Sequence, residues 1–387
     1  MKRFFKIVKR ELALWARRPI YLLGSFGVML ISTIFYLSFF REGLPENLPI
    51  GIVDMDCSST SRNFASQLDA TQLGSVIDFP SVAQARREME TGRICGYVVI
   101  PEKFDEEVQA FRCPKLGVYV NGMNPVIGGA LAYKDILFMV NLTNGAVQRQ
   151  VLRAKGVPEY EIMAKLQPLN LDAHYIGNAP TNYGYYLNNM ILTGILALCI
   201  VLVVVYSLGA EMKYKSSTKL LEMSGDSIFR TLAAKLFPYT ILFTALGVTL
   251  QLILFGPLHY PLAGSIWAMI LSMLLLVLAY ESIAVFIFAC TPTLRLAVCI
   301  AALYGVLGFS FAGFTLPISS LPAGIRGMSA LYPLHFYYNF YVQEAIFGTG
   351  FTGWWTIVLS YLVFLFLPLL CGKRIYKAYK YQDYPQS

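Results

Sequence analysis

Residues 187–208 read LNNMILTGILALCIVLVVVYSL, and beyond Asn188 and Asn189 the strongest polar group in the stretch is a hydroxyl. A hydrocarbon core of roughly 30 Å is crossed by about 20 helical residues, so these 22 are enough to span it. Working outward, five further charge-poor blocks have the same character: Ile20–Phe40, Leu236–Phe255, Ser265–Ala289, Leu296–Leu316 and Trp354–Cys371. The expected fold class is therefore a multi-span α-helical membrane protein with six transmembrane helices. The first covers residues 20–40 and the other five lie within 187–372. Composition agrees: 56% of the 387 residues are hydrophobic, only 14% are charged and the mean hydropathy is +0.55. That leaves too little polar surface to cover a water-soluble core of this size.

Charge placement gives the orientation. Seventeen of the 31 Lys and Arg residues fall in short segments: the N-terminal stretch, the loop between the second and third spans, Arg295 and the tail 373–387. Short Lys/Arg-rich segments stay on the cytoplasmic side. Both termini are thus expected in the cytoplasm and segment 41–186, where acidic and basic residues mix, outside. The net charge of +8 reads as topology and contact with anionic membrane lipids rather than nucleic-acid binding. Residues 1–19 place Phe4, Val8, Leu12 and Trp15 at helical spacing, as in a cytoplasmic amphipathic helix lying at the interface. Cys57, Cys95 and Cys113 lie outside the spans, so at most one disulfide forms among them, and no Cys or His spacing matches a metal motif.

Segment 41–186 alternates short apolar runs with stretches of helical period. This predicts an inserted extracytoplasmic α/β domain with strands near Pro49–Val53, Ser75–Phe79, Cys95–Ile100 and Leu116–Val120. Helices are expected at Thr60–Leu68, Val82–Glu90, Lys103–Phe111 and Pro125–Lys155. On the cytoplasmic side, loop 209–235 contains a short amphipathic helix broken at Gly225-Asp226. Segment 315–350 is apolar but interrupted by proline, which predicts half-helices folded against the protein.

Several motifs together resemble one family, the permease subunits of type 2 ATP-binding-cassette (ABC) exporters. They are Glu211, Ser217-Thr218, Leu220-Leu221 and Ala234-Lys235 with Pro238-Tyr239, then Gly313 to Pro322 followed by Tyr332-Pro333-Leu334. Ser217 and Ala234 stand where the family often has glycine. Ile52-Val53-Asp54-x-Asp56 with Ser58-Ser59-x-Ser61, and Gly96 to Pro101 with Phe104, are similar to the large extracytoplasmic domain of a drug-exporter subgroup. The resemblance implies a permease, multidrug-efflux-like, in the cytoplasmic (inner) membrane. It also implies an ATPase-coupling role for Glu211, Ser217, Thr218, Leu220, Leu221 and Lys235. A re-entrant segment would be marked by Gly313, Pro317, Pro322 and Pro333.

The implied partners are a nucleotide-binding ATPase subunit, a second permease copy or paralogue, and a periplasmic adaptor protein. The sequence itself has no Gly-x-x-x-x-Gly-Lys-Ser/Thr loop, so no phosphate cradle and no cofactor are expected: ATP belongs to the partner, and the chain is not an enzyme. Glu281, inside an apolar span, must face protein, water or a proton. It is a pathway or gating candidate together with Asn188 and Asn189. Small-residue pairs that suit a dimer contact are Ser25-Phe26-Gly27 and Gly305-x-x-Gly308, which equally suit packing inside one subunit. A different class of function, a membrane-anchored sensor whose segment 41–186 binds a ligand, is the alternative reading.

Overall fold

The computed structural model describes residues 2–41, 43, 46–71, 74–110, 112, 114–122, 126–166, 177–178, 182–291, 293–314 and 318–382. It divides into two compact units, residues 1–41 with 175–387 and residues 42–174. The chain opens with α1 (Lys2–Arg17), and Pro19 at the first turn of α2 (Pro19–Leu22) redirects it. A π-helical turn, Leu23–Gly27, then leads into α3 (Val28–Phe39), so that Pro19–Phe39 forms the first apolar helix.

The second unit holds a four-stranded sheet of order β2-β1-β3-β4. Along the chain come β1 (Leu48–Asp54), α4 (Ser59–Asp69), β2 (Gly74–Asp78), α5 (Val82–Glu90), β3 (Gly96–Ile100), α6 (Phe104–Gln109) and β4 (Gly117–Val120). β1 pairs in parallel with β2 and β3, and β4 runs antiparallel to β3. The helix starts are set by serines: Ser58 and Ser61 form a reciprocal cap on α4, and Ser81 caps α5. Alternation along β1 separates two cores. Ile50 and Ile52 pack with Phe64, Val98, Phe104 and Ile136, whereas Val53 packs with Ala85 and Tyr97. The long α7 (Val126–Ala154) and α8 (Glu159–Leu166) complete the unit. Cys57 and Cys95 are both free thiols, and Cys113 lies outside the described residues.

The first unit continues with α9 (Tyr183–Lys213), α10 (Ser217–Ser224), α11 (Ile228–Phe255), α12 (Ile266–Cys290) and α13 (Leu294–Phe311). Four short helical pieces follow: a 3-10 turn at Ile318–Ser320, α14 (Ala323–Ser329), α15 (Pro333–Tyr341) and a π turn at Val342–Ile346. The last rod is α16 (Phe351–Leu365) and α17 (Leu367–Tyr381), parted next to Pro368. Six of these helical runs are long and apolar enough to cross a membrane. In α9 and α12, 72% of the apolar stretch is buried, against 17–33% in the other four, so these two form the centre and the rest surround them.

The basic tail is not a free extension. Residues 373–381 continue α17, and Tyr379 is fully buried with its hydroxyl donating to the Leu208 carbonyl at 3.0 Å. In α1 the buried stripe is Ile7, Glu11 and Trp15, with Leu12 nearly half exposed, so the helix is rotated from the face that its apolar spacing suggests. Gly305 and Gly308 serve packing inside the subunit. A Cβ at Gly305 would lie 2.4 Å from the Leu198 side chain of α9, and one at Gly308 would lie 3.2 Å from the Tyr280 hydroxyl. Gly305→Val is therefore expected to destabilise the monomer by about 1–3 kcal/mol through overpacking. Thermal unfolding in detergent would show this as a lower midpoint; an unchanged midpoint with altered oligomeric state would instead place the glycine between subunits.

Candidate functional site

The least expected feature of the apolar bundle is four charges in mutual contact at one end. In the last turn of α9 stands Glu211, which is 3% exposed; one turn before Pro238 in α11 stands Lys235, 1% exposed; and α1 contributes Glu11, also 1% exposed, beside Arg10. Lys235 Nζ donates to Glu11 Oε2 and to Glu211 Oε1, each at 2.9 Å. Arg10 grips Glu211 with two nitrogens at 2.8 Å each and reaches Glu11 Oε1 at 2.8 Å. Ser216 Oγ adds a bond to Glu211 Oε2 at 2.5 Å. Two cations thus meet two carboxylates, and the group is neutral. Burial alone would lower the Arg10 pKa, but the hydrogen bond and charge of Glu211, with Glu11 behind it, raise it on balance, so the cation is secure.

The loop that carries α10 hangs from this cluster. α10 follows Glu211 after one turn, and Gly225 ends it in the left-handed region at φ 78°, with Asp226 N bonding back to the Leu221 carbonyl. Its buried face is Ser217, Leu220, Leu221 and Ser224. Ser217 Oγ bonds the Tyr379 carbonyl of α17 at 3.0 Å, and Gln382 reaches the Lys215 carbonyl at 3.2 Å. Lys219 and Glu222 face outward, and Thr218 is partly covered. So of the six residues expected to couple to an ATPase, Glu211, Ser217, Leu220, Leu221 and Lys235 point into the subunit. They hold α10 in place, and its outer face carries Lys219 and Glu222.

A second polar group runs through the bundle. Gln251 of α11 donates to the Met269 carbonyl at 3.1 Å and to Tyr337 at 3.3 Å, and Tyr337 donates to Asn189 Oδ1 at 3.2 Å. Asn188 Nδ2 donates to the Tyr260 hydroxyl at 2.7 Å. Glu281 of α12 accepts from Thr240 Oγ1 at 2.7 Å, while its other oxygen, Oε1, has no hydrogen-bond partner. Glu281 is therefore not brought together with Asn188 and Asn189 by any hydrogen bond. The proline-interrupted segment is built as short pieces: Gly313 has φ 90°, Pro322 precedes α14 and Pro333 opens α15, while Pro317 lies outside the described residues.

Sequence reasoning missed Glu344. It is 2% exposed in the π turn and accepts from Trp354 Nε1 and from the Ser265 backbone N–H, both at 2.7 Å. It thereby places a carboxylate at the N-terminus of α12. Gly264 permits the approach, since a Cβ there would lie 2.5 Å from the Glu344 carboxylate. Among the described residues, no cluster of His, Cys, Asp and Glu is arranged to hold a metal ion.

Removing one member of a buried ionic group leaves an unpaired charge, a cost of about 3–5 kcal/mol. Lys235→Met is expected to lower stability by that amount, and adding Glu11→Gln, which restores neutrality, to recover more than half of it. Unfolding midpoints of the two single variants and the double variant decide the matter. Simple additivity would mean that the two residues do not act as a pair.

A comparison with curated proteins finds no match to this sequence. The profile of the family described as ABC-2 family transporter protein matches residues 20–372. That span contains the apolar part of all six helices, Glu211, Lys235 and all of the proline-interrupted segment, and it leaves α1 and the basic end of α17 outside. In this family the matched region is the transmembrane component, which works with a separate nucleotide-binding ATPase subunit. With six candidate spans and a match over most of its length, the chain belongs to the ABC-2 transporter family, as a multi-pass permease component.

Proposed function

We propose that this permease couples ATP hydrolysis in a separate subunit to the export of a hydrophobic or amphipathic substrate across the cytoplasmic membrane. The observation that carries the reading is the mounting of α10. Its inner face is buried against α1 and α17, its outer face offers Lys219 and Glu222, and the charge cluster joins it to α1, α9 and α11. A push on the outer face is then carried into the bundle as movement of a single body. An even number of crossings puts both termini on one side, and the placement of Lys and Arg favours the cytoplasm. The unit 42–174 is then extracytoplasmic, where it serves as an exit gate or as the contact for an adaptor. The exposed apolar faces of the first, fifth and sixth spans suit lipid and a second permease copy or paralogue. Glu281, Asn188 and Asn189 are assigned to the pathway or its gate, because polar side chains inside a span are retained at a cost.

Reversing both outward charges of α10, Lys219→Glu with Glu222→Lys, is expected to remove most of the ATPase subunit from the purified complex while leaving the permease's unfolding midpoint unchanged. Full retention of the ATPase with normal ATP-driven transport would refute this docking face. Glu281→Gln keeps the acceptor for Thr240, so the fold is expected to persist while transport into proteoliposomes slows. An unchanged rate would take Glu281 out of the pathway.

A further inference from the structure

Within the unit 42–174, one face of α7 is only partly covered by its neighbours. Tyr133, Leu137, Val140, Asn144, Val147 and Val151 are spaced four and three residues apart in turn, which lines them up along the helix over about 27 Å. Tyr133 and Leu137 are 49% and 45% exposed. This stripe is one wall of a groove of about 950 Å³; α6 (Phe104, Val108), the approach to β4 (Leu116) and the end of α8 (Lys165, Leu166) supply the others. A volume of that order, apolar walls and a few dispersed polar groups are the marks of a small-molecule site. Four separate elements border it, whereas a partner helix, about 10 Å across, would need only one open face.

The charges in the lining have one sign. Arg112 and Lys165 line the groove, and among the described residues no carboxylate does. Lys165 is bonded to Glu161 at 3.1 Å. Arg112 has no ion pair among the described residues, so its guanidinium is the cation left for a ligand. We propose that this groove binds a single-chain amphiphilic acid, with the acyl chain along Leu137–Val151 of α7 and the acidic headgroup at Arg112. The proposal concerns binding in this unit and goes beyond the coupling reading; it stands whether or not the bound acid is the exported cargo.

The test uses the full-length protein in lipid nanodiscs with a diazirine-bearing palmitic acid, photolysed and mapped by peptide mass spectrometry. Adducts are expected on α7 between Leu137 and Val151, suppressed by excess palmitate roughly tenfold more effectively than by hexadecanol, which lacks the charge-assisted hydrogen bond. Arg112→Ala is expected to erase that difference, and Val147→Trp to abolish the α7 adducts while adducts in the spans remain. Adducts confined to the spans, or equal competition by hexadecanol against the unaltered protein, would overturn the proposal. So would efficient disulfide cross-linking of Asn144→Cys to a second copy, which would mean that another subunit fills the groove. None of these results depends on ATPase binding, so the coupling reading is tested separately.

Discussion

Two carboxylates and two cations, three of the four almost fully buried and all in contact, hold one end of this bundle together. The attraction is strong because little water screens it, and for the same reason any missing member is costly. Glu11, Glu211 and Lys235 belong to three different helices, so the cluster sets where those helices lie relative to one another as well as how tightly they pack. Aromatic rings close over it: Trp15 and Tyr239 meet edge to face with centroids 4.9 Å apart, and Tyr379 covers the side toward α17. Such a group suits a joint that must move as a body, since its geometry is directional where apolar contact is not.

The remainder of the bundle follows from which helices shed lipid. α9 and α12 are buried on nearly all sides, and they carry the small residues and polar side chains that a lipid-facing helix would not favour. Gly194 shows the consequence: a Cβ there would fall 2.3 Å from the Phe309 ring, so a ring of α13 rests directly on the α9 backbone. The outer helices keep bulky apolar residues such as Ile31, Leu303 and Val363 on their open faces.

Much of this was legible locally. Six charge-poor stretches are found as helices, four with bounds within about five residues and the third and sixth longer at their charged ends, because length and hydropathy are properties of the segment itself. The strands of the second unit begin within one residue of their expected starts. There, alternation and serine caps mark β1 and α4 without help from distant residues. What escaped depends on distance along the chain. Glu11 reads as one more polar residue on a basic helix, and only the arrival of Lys235, 224 residues later, makes it a core residue. The same holds for Glu344, whose partners are Ser265 and Trp354, and for the Gln251–Tyr337–Asn189 chain. Glu211 and Lys235 stood out by motif, yet their inward direction has no periodic signal, since each lies near a helix end or a proline.

That separation also has a bearing on biogenesis. Ribosomes add about 5–20 residues per second, so α1 waits on the order of 10–45 s for the helix that supplies its counter-charge. Until Glu211 is made, 24 residues before Lys235, Glu11 and Arg10 have only each other and solvent, and the first span enters the bilayer with its leading helix still unanchored. Once α11 inserts, closure of the ion cluster draws the earliest and the middle parts of the polypeptide together. In this protein the N-terminal helix is among the first segments made and among the last to reach its final seat.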